Sequence, residues 1–336
     1  MITSLAMILL FVFIIGICVG SFLNVVILRA FSNESIVFPA SKCPKCQKPL
    51  KWHHNIPILS FLTLKGKCAF CSEKISVQYP IVELVTGLLF VAVFAKVVLF
   101  PLSFTLPTLF NLIFTLAFIS VFVVLAVTDI KEKVIFDFHA YVLVGLGLIY
   151  NLFNLGHLYN GSKALALGHF SLAIPESLIA SILGIIAGVV IMEIFARFGY
   201  LVAGTRAFGE GDSYIAAGLG AIFGWKYLLT VLLYAFITQI VLTIPVFIAK
   251  LYRKKDYKTL GSFFAFFLLV FAVKSIEFIN VFNNFVVFTV LTVLLCGVGF
   301  YACKRILGGL KDQENMTFLP FGPAMVAGAL FLLFMI

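Results

Sequence analysis

Long apolar runs separated by short polar links make up most of the chain. Ten runs read as membrane helices: residues 4–28, 81–100, 109–128, 139–155, 177–198, 213–223, 228–248, 262–272 (extending to about 278), 285–302 and 318–336. A helix needs about 20 apolar residues to cross the hydrocarbon layer of a bilayer. The run 213–223 is about a dozen residues long and is expected to be short or tilted. The fold class expected is therefore an all-α polytopic membrane protein of about ten transmembrane helices. Residues 29–80 break the pattern with a polar, basic stretch. The links 156–175 and 249–261 are shorter polar interruptions.

Composition supports this reading. Of the 336 residues 62% are hydrophobic and 11% charged, and the mean hydropathy is +1.15. A soluble core does not need that much apolar surface, whereas a multi-pass protein in a lipid bilayer does. The first run lacks a basic start followed by a small-residue cleavage site, so it is expected to be retained as a helix. The net charge is +10. No stripe of basic and aromatic residues supports nucleic-acid binding, and the excess reads instead as a topology signal. Ten spans with both termini outside place the links after spans one, three, five, seven and nine in the cytoplasm. Of the 24 Lys and Arg, only Lys96, Lys163, Lys226 and Lys274 then fall on the other side.

The seven cysteines divide in two groups. Cys18, Cys296 and Cys303 lie in or beside apolar runs and read as small buried hydrophobes. Cys43, Cys46, Cys68 and Cys71 lie in the polar stretch as two C-x2-C pairs with 21 residues between them. That spacing is close to the tetrathiolate zinc pattern. Two disulfides or four idle thiols are the alternatives, and disulfides are disfavoured because basic loops face the reducing cytoplasm. His53 and His54 lie between the pairs and are expected at the surface, since four cysteines already complete a site.

The ionisable residues in or beside the apolar runs are few. Asp129 closes the third run. Asp212 opens the sixth, after Phe208, Gly209, Glu210 and Gly211. Gly209 and Gly211 are free to take backbone angles other residues avoid and leave room for a substrate strand. Glu83, near the start of the second run, is read either as a partner of a basic loop residue or as a buried group that positions a substrate amine. Asp137 is read as structural. Asn24, a polar group at depth, is expected to hydrogen-bond to a neighbouring helix. Ionisable residues at membrane segments are functional-site candidates, and two aspartates at helix ends suggest an aspartic protease. A rival reading is a non-enzymatic transporter or secretion-assembly factor with a zinc-stapled docking loop. Transporters, however, carry their polar residues at mid-helix.

At these residues the chain resembles the prepilin peptidases, the bifunctional leader peptidases and N-methyltransferases of type IV pilin and type II secretion systems. The resemblance covers residues 20–248 and the tail from 318. Residues 20–29 are similar to the family's first-helix motif, and 43–71, with Trp52, Asn55, Ile56, Pro57, Leu59 and Ser60, to its zinc-knuckle domain. Ile75, Ser76, Tyr79, Pro80, Glu83 and Leu84 continue the match. Residues 128–130 and 209–212 look like its two catalytic aspartate motifs, and 319–323 like its closing motif. Phe136 stands where the family usually has Pro before Asp137, and residues 250–310 look like an insertion.

The resemblance implies five parts: a first transmembrane helix (1–28), a cytoplasmic zinc-binding domain (29–80), a transmembrane peptidase core (81–249), an inserted loop with two extra helices (250–310) and a C-terminal helix (311–336). It implies prepilin or pseudopilin substrates cut at the cytoplasmic face of a bacterial inner membrane. Asp129 and Asp212 would be the catalytic pair. The new N-terminal residue would then be methylated by S-adenosylmethionine.

Overall fold

The structure, a computed structural model, describes residues 2–32, 34–38, 40–102, 104–153, 162–167, 170–203, 208–253 and 320–335, with a few isolated positions between 255 and 301. The helices are α1 (Ile2–Ser32), α2 (Leu59–Thr63), α3 (Gln78–Phe94), α4 (Leu106–Glu132), α5 (Asp137–Leu152), α6 (Glu176–Ala203), α7 (Glu210–Arg253) and α8 (Gly322–Met335). One turn of π-helix, Ala95–Leu99, continues α3. Among the described residues five helices are long and apolar enough to cross a membrane: α1, α3, α4, α6 and α7. The runs expected at 262–278 and 285–302, with Cys296 and Cys303, lie outside the described residues.

Two expectations are corrected. The chain is not purely α-helical: Ser162–Leu167 (β1) and Phe170–Pro175 (β2) form an antiparallel hairpin, paired from Leu167↔Phe170 to Ser162↔Pro175. Both strands fall in the link 156–175, where no membrane span competes for the backbone. Cys18 is exposed on α1 rather than buried. It shares that surface with Met7, Leu10 and Phe11, all well exposed, as expected of a helix whose outer face meets lipid.

The apolar runs 213–223 and 228–248 emerge as one helix interrupted once. At Gly224 the backbone has φ 72° and ψ 168°. Glycine reaches that conformation without a steric penalty. The described chain divides into two compact units. One comprises Met1–Val189, Gly211–Ala235 and Pro320–Ile336 and holds most of the described helices. The other comprises Val190–Glu210 and Phe236–Leu319. In it, Phe195 and Phe208 both pack on Phe236, with ring centroids 5.0 and 6.1 Å apart.

Glycine sets the helix crossings in the first unit. A Cβ on Gly184 would overlap the Gly220 carbonyl, and one on Gly188 would lie 2.5 Å from the Ala216 oxygen. Thus α6 and α7 run antiparallel with their backbones in contact. Gly147 lies equally close to Ala221, and Gly218 to Leu143, which brings α5 alongside α7. A Cβ on Gly16 would sit 2.7 Å from the Gly87 Cα, and one on Gly20 would sit 2.8 Å from the Glu83 Cα, fixing α1 on α3. Asn24 Nδ2 donates across that contact to the Tyr79 carbonyl, 3.2 Å away, the interhelical bond expected of it. Phe118, Phe122, Leu143, Leu219, Ile222 and Met325 fill the centre and are fully buried.

These crossings predict an asymmetry between glycines. Gly220→Ala drives a methyl into the α6 backbone and should destabilise the protein by about 1–3 kcal/mol, the usual cost of overpacking. A Cβ on Gly145 meets nothing within 4 Å, so Gly145→Ala should be neutral or slightly stabilising. Thermal unfolding of the two detergent-solubilised variants measures the difference, and equal melting temperatures would contradict it.

Candidate active site and thiolate centre

Asp129 lies in the last turn of α4, which runs past the end of its apolar stretch to Glu132. Lys133 closes the helix in a left-handed conformation, φ 55°, with its amide on the Asp129 carbonyl. The Asp129 side chain is 4% exposed. Its Oδ2 accepts a hydrogen bond from the backbone N–H of Gly322, 2.9 Å away. Gly322 is the first residue of α8, so the carboxylate sits at the positive end of a helix. A Cβ on Gly322 would lie 2.5 Å from that oxygen and 3.3 Å from Ile215 Cδ1. Only glycine lets the amide come this close.

Asp212 stands in the first turn of α7 and is 7% exposed. Ser213 beside it is equally buried, and its Oγ has no hydrogen-bond partner. Ile215, one turn further along α7, touches the place where Gly322 holds Asp129. A Cβ on Gly211 would lie 2.7 Å from the Ile135 Cβ, so the segment leaving α4 closes directly onto the start of α7. The room beside Gly211 is thus taken by the chain itself. Gly209 precedes the helix and is exposed. The last turn of α4 and the first turns of α7 and α8 therefore meet at one end of the bundle. Asp137 is exposed in the first turn of α5, where its charge suits the helix dipole.

Glu83 is 6% exposed. Its Oε2 takes the backbone N–H of Ile58 at 2.7 Å, and Ser21 also bonds its side chain. Its partner is therefore a backbone amide, and no ion pair to it is found among the described residues. Ile58 holds φ 60° and ψ −50°, an outlier for a β-branched residue. That conformation presents its amide to Glu83. Ser60 pins the same loop, accepting from Ile56 N at 2.9 Å and donating to the His53 carbonyl at 2.8 Å. Asn24 Oδ1, buried close by in sequence to Ser21, has no partner.

The four cysteines of residues 43–71 come together. Their sulfurs all lie within 4.8 Å of one another, with Cys43 and Cys71 3.9 Å apart. Each pair sits in the same tight hairpin. Gln47 N bonds the Cys43 carbonyl at 2.9 Å and Ser72 N the Cys68 carbonyl at 3.0 Å. Gln47 and Ser72 both have φ 58°. All four thiols are free. A disulfide needs sulfurs ~2.0 Å apart, whereas tetrahedral zinc with ~2.3 Å bonds separates them by ~3.8 Å. The arrangement fits the metal. Amide hydrogen bonds from Phe70 and then Cys71 hold the Cys68 thiol down at about 6. At Cys71 the Glu73 amide works downward, but burial and the other sulfurs drive the thiol up to about 11. Four thiolates at this spacing repel one another unless a cation lies between them. His53 is exposed and His54 half-buried, its ring 5.3 Å from that of Phe70, so neither joins the cluster.

The sequence pointed to both aspartates and all four cysteines. It gave no sign that Gly322 binds Asp129 across 193 residues, or that Ile58 serves Glu83. The only signal for the first was the match of residues 319–323 to the family's closing motif, which did not name the partner. The second had none.

Residues 14–97 match the model of the bacterial peptidase A24 N-terminal domain, and residues 116–244 that of the type IV leader peptidase family. The chain is 36% identical over 225 residues to the prepilin leader peptidase/N-methyltransferase of Myxococcus xanthus, covering 67% of this chain and 59% of that one. It is 34% identical to the Klebsiella pneumoniae protein of the same name (67% of this chain, 89% of that one). With the Neisseria gonorrhoeae protein the identity is 32% (70% and 82%). No solved structure matches the chain. Its two matched regions hold the thiolate centre and both candidate aspartates, and the chain belongs to the type IV prepilin leader peptidase family.

Proposed function

We propose that the protein is a membrane aspartic endopeptidase that removes the leader of type IV prepilin-like proteins and N-methylates the residue it exposes. The observation that carries this reading is the meeting of Asp129, held by the Gly322 amide, with the α7 turn that bears Asp212. Every relative named above carries both activities in its name, and none supports a transporter or assembly factor. Cleavage takes place at the cytoplasmic edge of a bacterial inner membrane, with both termini on the other side. There the basic leader of a prepilin stays in water and its apolar helix in lipid, which presents the scissile bond at the depth of the helix ends.

In this mechanism the two aspartates share the labour of hydrolysis. Two carboxylates close together cannot both ionise cheaply, so one holds a proton while the other is charged. The ionised carboxylate takes a proton from water as its oxygen attacks the peptide carbonyl, and the protonated one polarises that carbonyl. The proton then passes to the departing amine as the C–N bond breaks. Gly211 lets Ile135 close on the first turn of α7, and exposed Gly209 gives room to the substrate strand. Glu83, fixed by Ile58, faces the substrate amine. S-adenosylmethionine supplies the methyl group. The geometry above singles out no seat for it, so methylation rests on the family and cleavage on this chain's own residues. Zinc held by Cys43, Cys46, Cys68 and Cys71 would fold a loop with little apolar core of its own.

Asp129→Asn and Asp212→Asn should each lower prepilin cleavage by ~10³-fold or more. The double variant should be little worse, because the residues act as a unit. Methylation of a pre-cut pilin should survive all three. A gel assay of leader removal with mass spectrometry of the pilin N-terminus reads both activities, and near-normal cutting by either Asn variant removes that residue from the dyad.

Gly322→Ala leaves both carboxylates in place but pushes α8 off Asp129. Turnover should fall roughly 10²-fold, the scale expected of a ~1 Å misplacement, with substrate affinity little changed. An unaltered rate would mean that the Gly322 amide does not orient Asp129.

Metal analysis of purified protein should find one zinc per chain. Cys68→Ser should lose it and expose residues 43–71 to limited proteolysis while the membrane helices stay protected. Zinc retained in that variant would show that the metal lies elsewhere.

A further inference from the structure

At the other end of the bundle lies a cavity of about 140 Å³ that the proposed chemistry does not use. Asn111 is 18 residues before Asp129 on α4, which puts the two ~27 Å apart along the helix. The polar lining of the cavity is Lys96, Asn111, Thr115 and Tyr150, and Phe118 and Phe223 close its apolar side. Lys96 is carried by the single π-helical turn of the chain's described part, and such turns recur at functional sites. Its ammonium donates to the Leu333 carbonyl on α8. A lysine that merely snorkels would extend to water, whereas this one turns toward a neighbouring helix.

The hydrogen-bond inventory fixes what the cavity can accept. Tyr150 Oη donates to Asn111 Oδ1 at 3.0 Å. Thr115 Oγ1 donates to the Asn111 carbonyl at 2.8 Å and lies 3.3 Å from the same Oδ1. Both hydroxyl protons are thereby committed, and the Asn111 side-chain oxygen is occupied. Among the described residues its NH2 group and two of the three ammonium protons of Lys96 remain as donors. Among the described residues no carboxylate lines the cavity. A positive charge and an excess of donors surround a space large enough for several waters or one small polar group. That complement suits a single oxyanion group. Lys96, Asn111, Tyr150 and Leu333 lie near the ends of their helices, whereas Phe118, Ile222 and Phe223 lie deeper along α4 and α7; the ends of membrane-spanning helices are where lipid headgroups reside.

We propose that this cavity is an oxyanion site that seats the phosphate of a phospholipid headgroup, at the bundle end opposite Asp129.

The test uses the full chain in detergent, titrated separately with dioleoylphosphatidylglycerol, dioleoylglycerol and inorganic phosphate, with binding read by native mass spectrometry. The phospholipid should bind at least about tenfold more tightly than the phosphate-free diacylglycerol, the scale of a charge-assisted hydrogen bond. Lys96→Met should erase that preference while leader cleavage continues, which confirms that the variant is folded. Asn111→Asp keeps the size of the side chain but places a negative charge in the cavity. It should erase the preference too, and it serves alone if Lys96→Met does not fold. A preference for phosphatidylglycerol that survives both substitutions overturns the proposal. Binding of inorganic phosphate that depends on Lys96, without preference for the phospholipid, overturns the lipid source and leaves a site for free oxyanion.

Discussion

Helices in lipid gain nothing by hiding apolar surface from one another, because the lipid tails are as apolar as they are. What holds this bundle together is close backbone contact, and close contact requires glycine. Gly184 against Gly220, Gly16 against Gly87 and Gly20 against Glu83 bring pairs of backbones to a distance that no Cβ would allow. Dispersion and a few interhelical hydrogen bonds then act at full strength. Large side chains are free to point outward, and many do: Leu10, Ile186 and Leu233 are all largely exposed.

The same constraint builds the candidate site. Asp129 is buried in the last turn of α4, where an unpartnered carboxylate would be costly. Its partner is the first amide of α8, and that amide reaches it only because residue 322 has no side chain. Gly211 plays the corresponding part for α7, admitting Ile135 where a Cβ would sit. The thiolate domain is tied in by a different device. A strained Ile58 backbone offers its amide to Glu83, so one buried carboxylate links the polar loop to α3.

Much of this was legible in the sequence because each signal was local. Apolar runs gave the helices, two C-x2-C pairs gave the thiolate cluster, and lone acids in apolar surroundings gave Asp129, Asp212 and Glu83. What was not legible depends on contact between distant parts. The Gly322–Asp129 bond joins residues with no shared pattern, and the Ile58 conformation, which isoleucine disfavours, accompanies a bond to Glu83 25 residues away. The hairpin 162–175 was missed for another reason. Outside the membrane the backbone is free to pair as strands, and a hydropathy reading treats every such link simply as loop.

The two ends of the bundle meet the same physical problem with opposite chemistry. Polar groups among membrane helices must be satisfied from within the protein or by something that enters it. At the Asp129 end the buried groups are carboxylates, and helix N-termini face them. At the Lys96 end the half-buried charge is a cation, and the carbonyl of Leu333, near the C-terminus of α8, faces it. Thus α8 offers its positive end to an acid and its negative end to a base. Such a helix resists sliding along its axis, because a shift of one turn would break both contacts together.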